Sequence, residues 1–477
     1  MNPLLALLGT PLAASVVLAV VPSYRLAARI NVAASFLTFL AGLALFEARP
    51  APTPLLFVDD FNIYLVVLTA FVAFTTSVFS ASYIDHEIET DRLNPVHFRF
   101  YHSMYQVLSF GMALALVANN IGVMWVAVEV ATLSTVVMVS LYRTHEAIEA
   151  SWKYFILASV GIALALFGTM LIYLAAQPVM GAGLEALAWT SLADAAPRFA
   201  PALLNLAFVF LLVGYGTKVG LVPFHAWLPD AHAEGPTPIS AVLSGLLLNV
   251  ALYAVLRFKM LLAANGAALT PGPLMVALGL SSLSVSAFML YRRRDIKRMF
   301  AYSSIEHMGI ITFAFGMGGP LANFAGLLHM TLHSLTKSAI FFAVGHVAQV
   351  KGTQKIAEIR GLTTSHPVLG WSLVVAVIAI AGLPPFGIFM SELLVVTSTF
   401  ARVPLLALPL IAGLLLGLAA LILRTQAMAF GAPVGPSQPI KASLLPMVAH
   451  LSLVLMAGFY LPEPLVAWFR HVAKILG

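Results

Sequence analysis

The chain has 477 residues, of which 61% are hydrophobic and only 9% charged, against about 25% charged in an ordinary soluble domain. That balance excludes a water-soluble globular fold. The net charge of +6 comes from short basic loops between apolar runs, not from the clustered basic face that nucleic acid requires. With no cysteine, the chain offers no thiolate for an iron–sulfur cluster or nickel site and forms no disulfide.

Apolar windows between polar or Pro/Gly-rich breaks are long enough to cross a hydrocarbon core about 30 Å thick. In chain order they predict helices over 4–22, 29–47, 61–84, 104–118, 120–142, 150–176 and 203–226, then 237–258, 271–290, 296–316, 321–349, 367–397, 403–424 and 442–462. The expectation is an all-α polytopic membrane protein with fourteen spans. Met-Asn-Pro at the start carries no positive leader, so the first window reads as a span.

With the N-terminus outside, sixteen of the Lys and Arg residues fall in cytoplasmic loops and seven outside, leaving Lys218 and Lys337 within spans. The positive-inside rule therefore places both termini on the non-cytoplasmic side.

Two short segments recur in order. Lys153-Tyr-Phe-Ile-Leu-Ala-Ser-Val-Gly161 echoes Lys337-Ser-Ala-Ile-Phe-Phe-Ala-Val-Gly345, and Gly220-Leu-Val-Pro-Phe224 echoes Gly382-Leu-Pro-Pro-Phe386. They divide the chain into a three-helix segment (1–103), two five-helix repeats (104–264 and 265–425) and a C-terminal helix with its tail (426–477). An odd number of helices inverts the second repeat, an arrangement by which transporters build a midplane site. Helices seven and twelve are interrupted by Pro223 and by Pro384 and Pro385, and such breaks persist where freed carbonyls face protein or water.

Intramembrane charge costs roughly 2.5–3.5 kcal/mol on insertion scales and marks function by default. Glu129, Lys218, Lys337 and Glu392 each stand alone in long uncharged stretches. Two of each sign favour pairing, with Glu129 and Lys218 expected to meet. His329, His333 and Lys337 keep i, i+4, i+8 spacing, which stacks them over about 12 Å of one helix face. Such a line of exchangeable groups suits proton transfer, although histidines also bond neighbouring helices as structural glue. No carboxylate or thiolate keeps that spacing, so no metal site is expected there.

Glu306 and His307, read near the cytoplasmic end of helix ten, are candidates for a proton entrance or for snorkelling side chains. His225, Asp230, His232 and Glu234 fall in the stretch after helix seven, as coupling residues or a solvated turn. His450 reads as a structural hydrogen-bonder.

The string Gly214-Tyr-Gly-Thr-Lys-Val-Gly-Leu-Val-Pro-Phe-His-Ala-Trp-Leu-Pro-Asp-Ala-His232, with Pro236-Thr-Pro-Ile-Ser-Ala-Val-Leu-Ser-Gly245, resembles the antiporter-like subunits of complex I and its relatives. So do Asp295-Ile-Lys-Arg-Met-Phe-Ala-Tyr-Ser-Ser304, His333-Ser-Leu-Thr-Lys337 and the Gly-Leu-Pro-Pro-Phe stretch leading to Glu392. The resemblance covers about residues 60 to 425 and is closest to the hydrogenase-4 component F branch of membrane-bound hydrogenase and formate hydrogenlyase complexes. It implies a proton-translocating subunit without a cofactor of its own, working with other membrane subunits and a peripheral redox module that carries iron–sulfur clusters or a nickel–iron centre, in a bacterial inner membrane. Glu129 then matches the helix-five glutamate, Lys218 and Lys337 the lysines of helices seven and eleven, and Glu392 the terminal charged group. Asn249 departs from the pattern, standing where relatives carry a helix-eight lysine or histidine, so the middle of the relay must use water or His329 and His333. Rival readings are a cation/proton antiporter module, a proton-driven partner of an inorganic-carbon uptake complex, and a non-conducting scaffold.

Overall fold

A computed structural model describes residues 2–94 and 97–477. Among these the regular structure is helical, with isolated β-bridges such as Asn120 to Ala188 in place of strands. The helices are α1 (Pro3–Val20), α2 (Tyr24–Ala44), α3 (Asp60–Glu89), α4 (His97–Val117), α5 (Ile121–Val139), α6 (His145–Met180) and α7, split into α7a (Pro201–Val219) and α7b (Trp227–Glu234). Then come α8 (Thr237–Ala263), α9 (Gly272–Arg292), α10 (Ile296–Met317), α11 (Gly319–Lys351), α12, split into α12a (Pro367–Ile380) and α12b (Gly387–Arg402), α13 (Pro404–Ala429), α14 (Leu445–Phe459) and α15 (Glu463–Ile475).

Ten of these helices are long and apolar enough to cross a membrane, or eleven if α14 and α15, bent by 81°, count as one span. The difference from the expected fourteen has physical causes. α4 and α10 are long but carry polar and charged side chains, among them Arg99 and His102 on one and Lys297, Arg298, Glu306 and His307 on the other. α12 is cut in two at 381–386.

The helix starts follow local chemistry. Asp59 and Asn62 form a reciprocal capping box on α3, Asn120 caps α5, Thr144 caps α6, and Asp295 caps α10. Proline at the first turns of α7a, α12a and α13 gives up no helical hydrogen bond. α6 and α7a press together through small residues: a Cβ on Gly214 would meet the Ala165 nitrogen at 2.5 Å, and one on Gly161 would meet Thr217 at 2.7 Å. Such seams let backbones approach closely where lipid supplies no hydrophobic drive. They hold Lys218 at a defined depth, one residue beyond Thr217.

Several boundaries move with consequences for charge. The window 237–258 extends to Ala263, so Arg257 and Lys259, read as outer-loop residues, are buried side chains of α8. Lys297, also read as a loop cation, is buried in the first turn of α10, donating to the Ala233 and Gly235 carbonyls at 3.1 and 2.6 Å. Helix fourteen ends at Phe459, and α15 turns away to pack on α11 and α3. Glu87, beyond the expected end of helix three, is buried, accepting from Tyr142 Oη and Gln349 Nε2, both at 2.9 Å.

Arg257 pins α8 to the start of α3. Its guanidinium lies 4.5–5.1 Å from the ring centres of Trp189, Phe57, Tyr253 and Phe61, and donates to Asp59 at 2.7 Å. Burial raises the Asp59 carboxyl, but the Arg257 charge, the Arg257 hydrogen bond and the Asn62 and Phe61 backbone N–H groups together outweigh it and hold Asp59 below the ordinary carboxylate range. A depressed folded pKa contributes stability above the unfolded value, lost as pH falls through the folded one. Asp59→Asn is therefore expected to lower stability near neutral pH by about 3 kcal/mol, because it strands a buried cation. It also removes that share of the acid-side loss. Thermal melts in detergent across acid and neutral pH check both, and an unchanged neutral melting temperature would refute the clamp.

Candidate functional site

The first expected pair forms. Glu129 on α5 and Lys218 at the end of α7a approach to 3.5 Å, and Lys218 Nζ donates to Thr132 Oγ1 at 2.8 Å. Thr132 lies three residues after Glu129, so the carboxylate and the hydroxyl share one face of α5. Lys218 is placed by Gly220, whose left-handed backbone (φ +81°) ends α7a and opens the break at Pro223.

The second cluster is assembled from four helices. His329, His333 and Lys337 lie fully buried along α11 as their spacing predicts. Lys337 makes no ion pair among the described residues. Its Nζ donates to the Phe300 carbonyl of α10 at 3.1 Å, and Ser304 Oγ donates to the same carbonyl at 2.9 Å. Ser304 in turn meets Ser244 of α8 at 2.6 Å. Ser244 sits in a π-helical turn, Leu243–Leu247, a local widening often found at functional positions. Lys337 is thereby joined to α8 through hydroxyls that sequence reasoning missed. Serine is so common in helix packing that only the π turn marks these two.

Glu306 and His307 need correction. They lie in the middle of α10, buried, not at its cytoplasmic end. His307 Nδ1 meets His329 Nε2 at 2.9 Å, and the His307 ring stacks on both His329 and His333, with centres 5.2 and 5.7 Å away. His307 thus bridges the two α11 histidines. The Glu306 carboxylate packs so closely on Gly417 of α13 that a Cβ there would overlap it. Glu392 on α12b is seated in the same way against Gly382, in the α12 break. Its neighbour Ser391 meets His329 Nδ1 at 2.9 Å. Pro384 and Pro385 are exposed at that break.

Asn249 is buried and donates to Ser334 Oγ at 2.7 Å and to the Gly245 carbonyl at 3.1 Å. It ties α8 to α11 at Ser334, the residue after His333. The stretch after helix seven is no solvated turn. Asp230, His232 and Glu234 belong to α7b, and His232 is buried and stacked on Phe341 at 4.8 Å. Asp230 pairs with Lys153 and Arg298 at 3.4 and 3.2 Å, and Glu234 with Arg298 at 3.3 Å. These partly exposed pairs contribute little stability individually but link α6, α7b and α10. His225, in the α7 break, lies edge-on to Tyr302 with ring centres 6.0 Å apart. His450 bonds Thr75 Oγ1 at 2.8 Å and the Leu335 carbonyl at 3.0 Å, in keeping with a structural role.

The arrangement is two clusters of buried exchangeable groups. Its end members, Glu129 and Glu392, are partly exposed, whereas Lys218, His307, His329, His333 and Lys337 are closed off. Residues 118–417 match the model of the NADH:quinone oxidoreductase/Mrp antiporter transmembrane family. The chain belongs to this family. It is 60% identical over 98% of both chains to the hydrogenase-4 component F homolog of Methylacidiphilum infernorum (isolate V4). Its fold is similar to that of a chain in the membrane-bound sulfane sulfur reductase, an archaeal respiratory membrane complex (TM-score 0.89, 23% identity, covering 100% of this chain and 98% of that one). It is also similar to a chain in the Mrp complex from Dietzia sp. DQ12-45-1b (TM-score 0.85, 18% identity, covering 100% and 97%).

Proposed function

We propose that the chain is the proton-translocating membrane subunit of a complex-I-like, group 4 hydrogenase-type respiratory assembly. Redox energy released in partner subunits drives protons through the Glu129–Lys218 pair, past the Ser244 and Ser304 hydroxyls to Lys337 by way of water, and on through the histidine cluster to Glu392. Water carries the middle step because Ser304 and Lys337 share only the Phe300 carbonyl as acceptor. The observation that carries this reading is the His307–His329 hydrogen bond: it joins α10 to α11, and with Ser391 it continues to α12b, so exchangeable groups run unbroken across three helices. Family membership and the 60% identity to a hydrogenase-4 component F homolog support the same reading.

The finer architecture belongs to the same proposal. Fourteen spans arise if α4, α10, α12 and α14 cross with the ten apolar helices, with both termini outside. Two inverted five-helix repeats then set the α7 and α12 breaks opposite each other. The left-handed Gly220 and Gly382 at equivalent places in the two breaks support the pairing. The partners are other membrane subunits and a peripheral redox module, in a bacterial inner membrane.

The test is purification of the intact assembly from its native membrane, identification of its chains by mass spectrometry, and reconstitution into vesicles. Redox turnover is expected to acidify or alkalinise the lumen without added sodium. Flux that requires sodium, or a large zinc-containing soluble partner in place of redox chains, would overturn the reading.

A further inference from the structure

The geometry points to a binding site for a divalent transition-metal ion of the zinc type, formed by His307, His329 and Glu392. One ring nitrogen from each histidine and one carboxylate oxygen of Glu392 lie within 4.8 Å of one another, and all three residues face the space between α10, α11 and α12b. Two imidazoles and a carboxylate are a complete zinc-type donor set, leaving a fourth position for water. Tetrahedral zinc, with bonds of about 2.0–2.2 Å, needs its donors roughly 3.3 Å apart, so the 2.9 Å between the histidine nitrogens widens slightly and the Glu392 oxygen draws in, shifts within reach of side-chain rotation.

What sets this cluster apart from a chance meeting of polar groups is its outer ring of contacts. His329 turns Nε2 into the cluster while Nδ1 is held by Ser391 Oγ at 2.9 Å. The carbonyl of Ile380, the last residue of α12a, lies near the His307 ring on the outer side. Glu392 is held by its seat on Gly382. Ligating histidines almost always carry such a second partner, which fixes the ring and its tautomer. The exposed Pro384–Pro385 break lies beside the seat of Glu392 on Gly382. Imidazole donors favour zinc, copper and nickel over magnesium or calcium.

The same three groups are relay members in the proposed function, so a bound ion would replace the mobile proton and halt flow. That consequence rests on the proposed function; the binding itself does not.

The test is a cobalt(II) titration of the full-length chain, purified in detergent without a histidine tag. Expected are one cobalt per chain with the visible absorption of a tetrahedral site, and its displacement by zinc. His307→Gln and His329→Gln are each expected to weaken binding by more than about ten-fold, and Ser391→Ala, which removes only an orienting partner, by about ten-fold. Lys355→Ala, on an exposed loop outside the donor set, is expected to bind as the wild type does. No cobalt absorption in the wild type, or full binding by a His307→Gln/His329→Gln chain, would overturn the site. Should that double variant fail to fold, undiminished binding by Ser391→Ala and Glu392→Gln overturns it equally. Zinc is then added to the reconstituted assembly: binding without loss of flux would remove this cluster from the proton route and leave the metal site standing.

Discussion

Lys337→Ala is expected to reduce proton translocation by more than about ten-fold, since a proton does not cross hydrocarbon without a carrier, while the assembly is recovered in near-normal yield. Lys337 stands between two sets of exchangeable groups. On one side its Nζ shares the Phe300 carbonyl with Ser304, which continues to Ser244 on α8; on the other stands His333, one turn along α11. Both ring nitrogens of His333 lack a protein partner, so that ring is free to exchange protons with whatever stands beside it. Among the described residues Lys337 makes no contact ion pair; the buried Glu306 carboxyl of α10 feels its charge only across a longer distance, so removing Lys337 breaks no direct pair. The desolvation cost of a buried ammonium disappears with it, which offsets the lost packing of the side chain. The measurement is proton flux in vesicles beside quantified subunit content. Normal flux at normal content would remove Lys337 from the route.

Glu129→Gln is expected to behave differently, losing both flux and stability. Lys218 is almost wholly buried, and Glu129 at 3.5 Å is its counter-charge. Removing one member of a buried pair costs about 3–5 kcal/mol, because the other charge stays desolvated and uncompensated. Glu129 retains 19% side-chain exposure, which places the loss at the low end of that range. The companion variant is Glu129→Gln/Lys218→Met, in which no charge remains to be stranded. It is expected to recover most of the stability and none of the flux. A double-mutant cycle on thermal stability in detergent, run beside vesicle flux, reads both. If the double variant is no more stable than Glu129→Gln, the pair is not an energetic unit. If it conducts normally, the α5–α7 end is not on the route.

The residues that matter most divide by how they announce themselves. Glu129, Lys218, Lys337 and Glu392 were legible because charge in a long apolar run is expensive wherever it folds. The α11 face was legible because helical spacing alone stacks His329, His333 and Lys337. The breaks at Pro223, Pro384 and Pro385 were legible from backbone chemistry, since proline cannot continue the hydrogen-bond ladder. Each of these inferences needs only local rules.

Contacts between helices needed the tertiary structure. His307 joins His329 and His333 because α10 packs on α11, and nothing in the order of residues 296–316 says which face turns there. Glu392 completes the zinc-type donor set from a third helix, whereas the spacing along α11 offers no carboxylate. Arg257 looked like a loop cation because arginine is costly in a span; its aromatic box and Asp59, distant in sequence, remove that cost. Asn249 left an apparent gap in the relay, and only helix packing revealed that it bonds Ser334 of α11 and that Ser244 of α8 meets Ser304 of α10. The sequence by itself determined which isolated charges stand in long apolar runs and which helices must break, because burial cost and backbone geometry are local. The tertiary structure alone decided which of them touch, because side-chain direction and helix packing depend on every other helix at once.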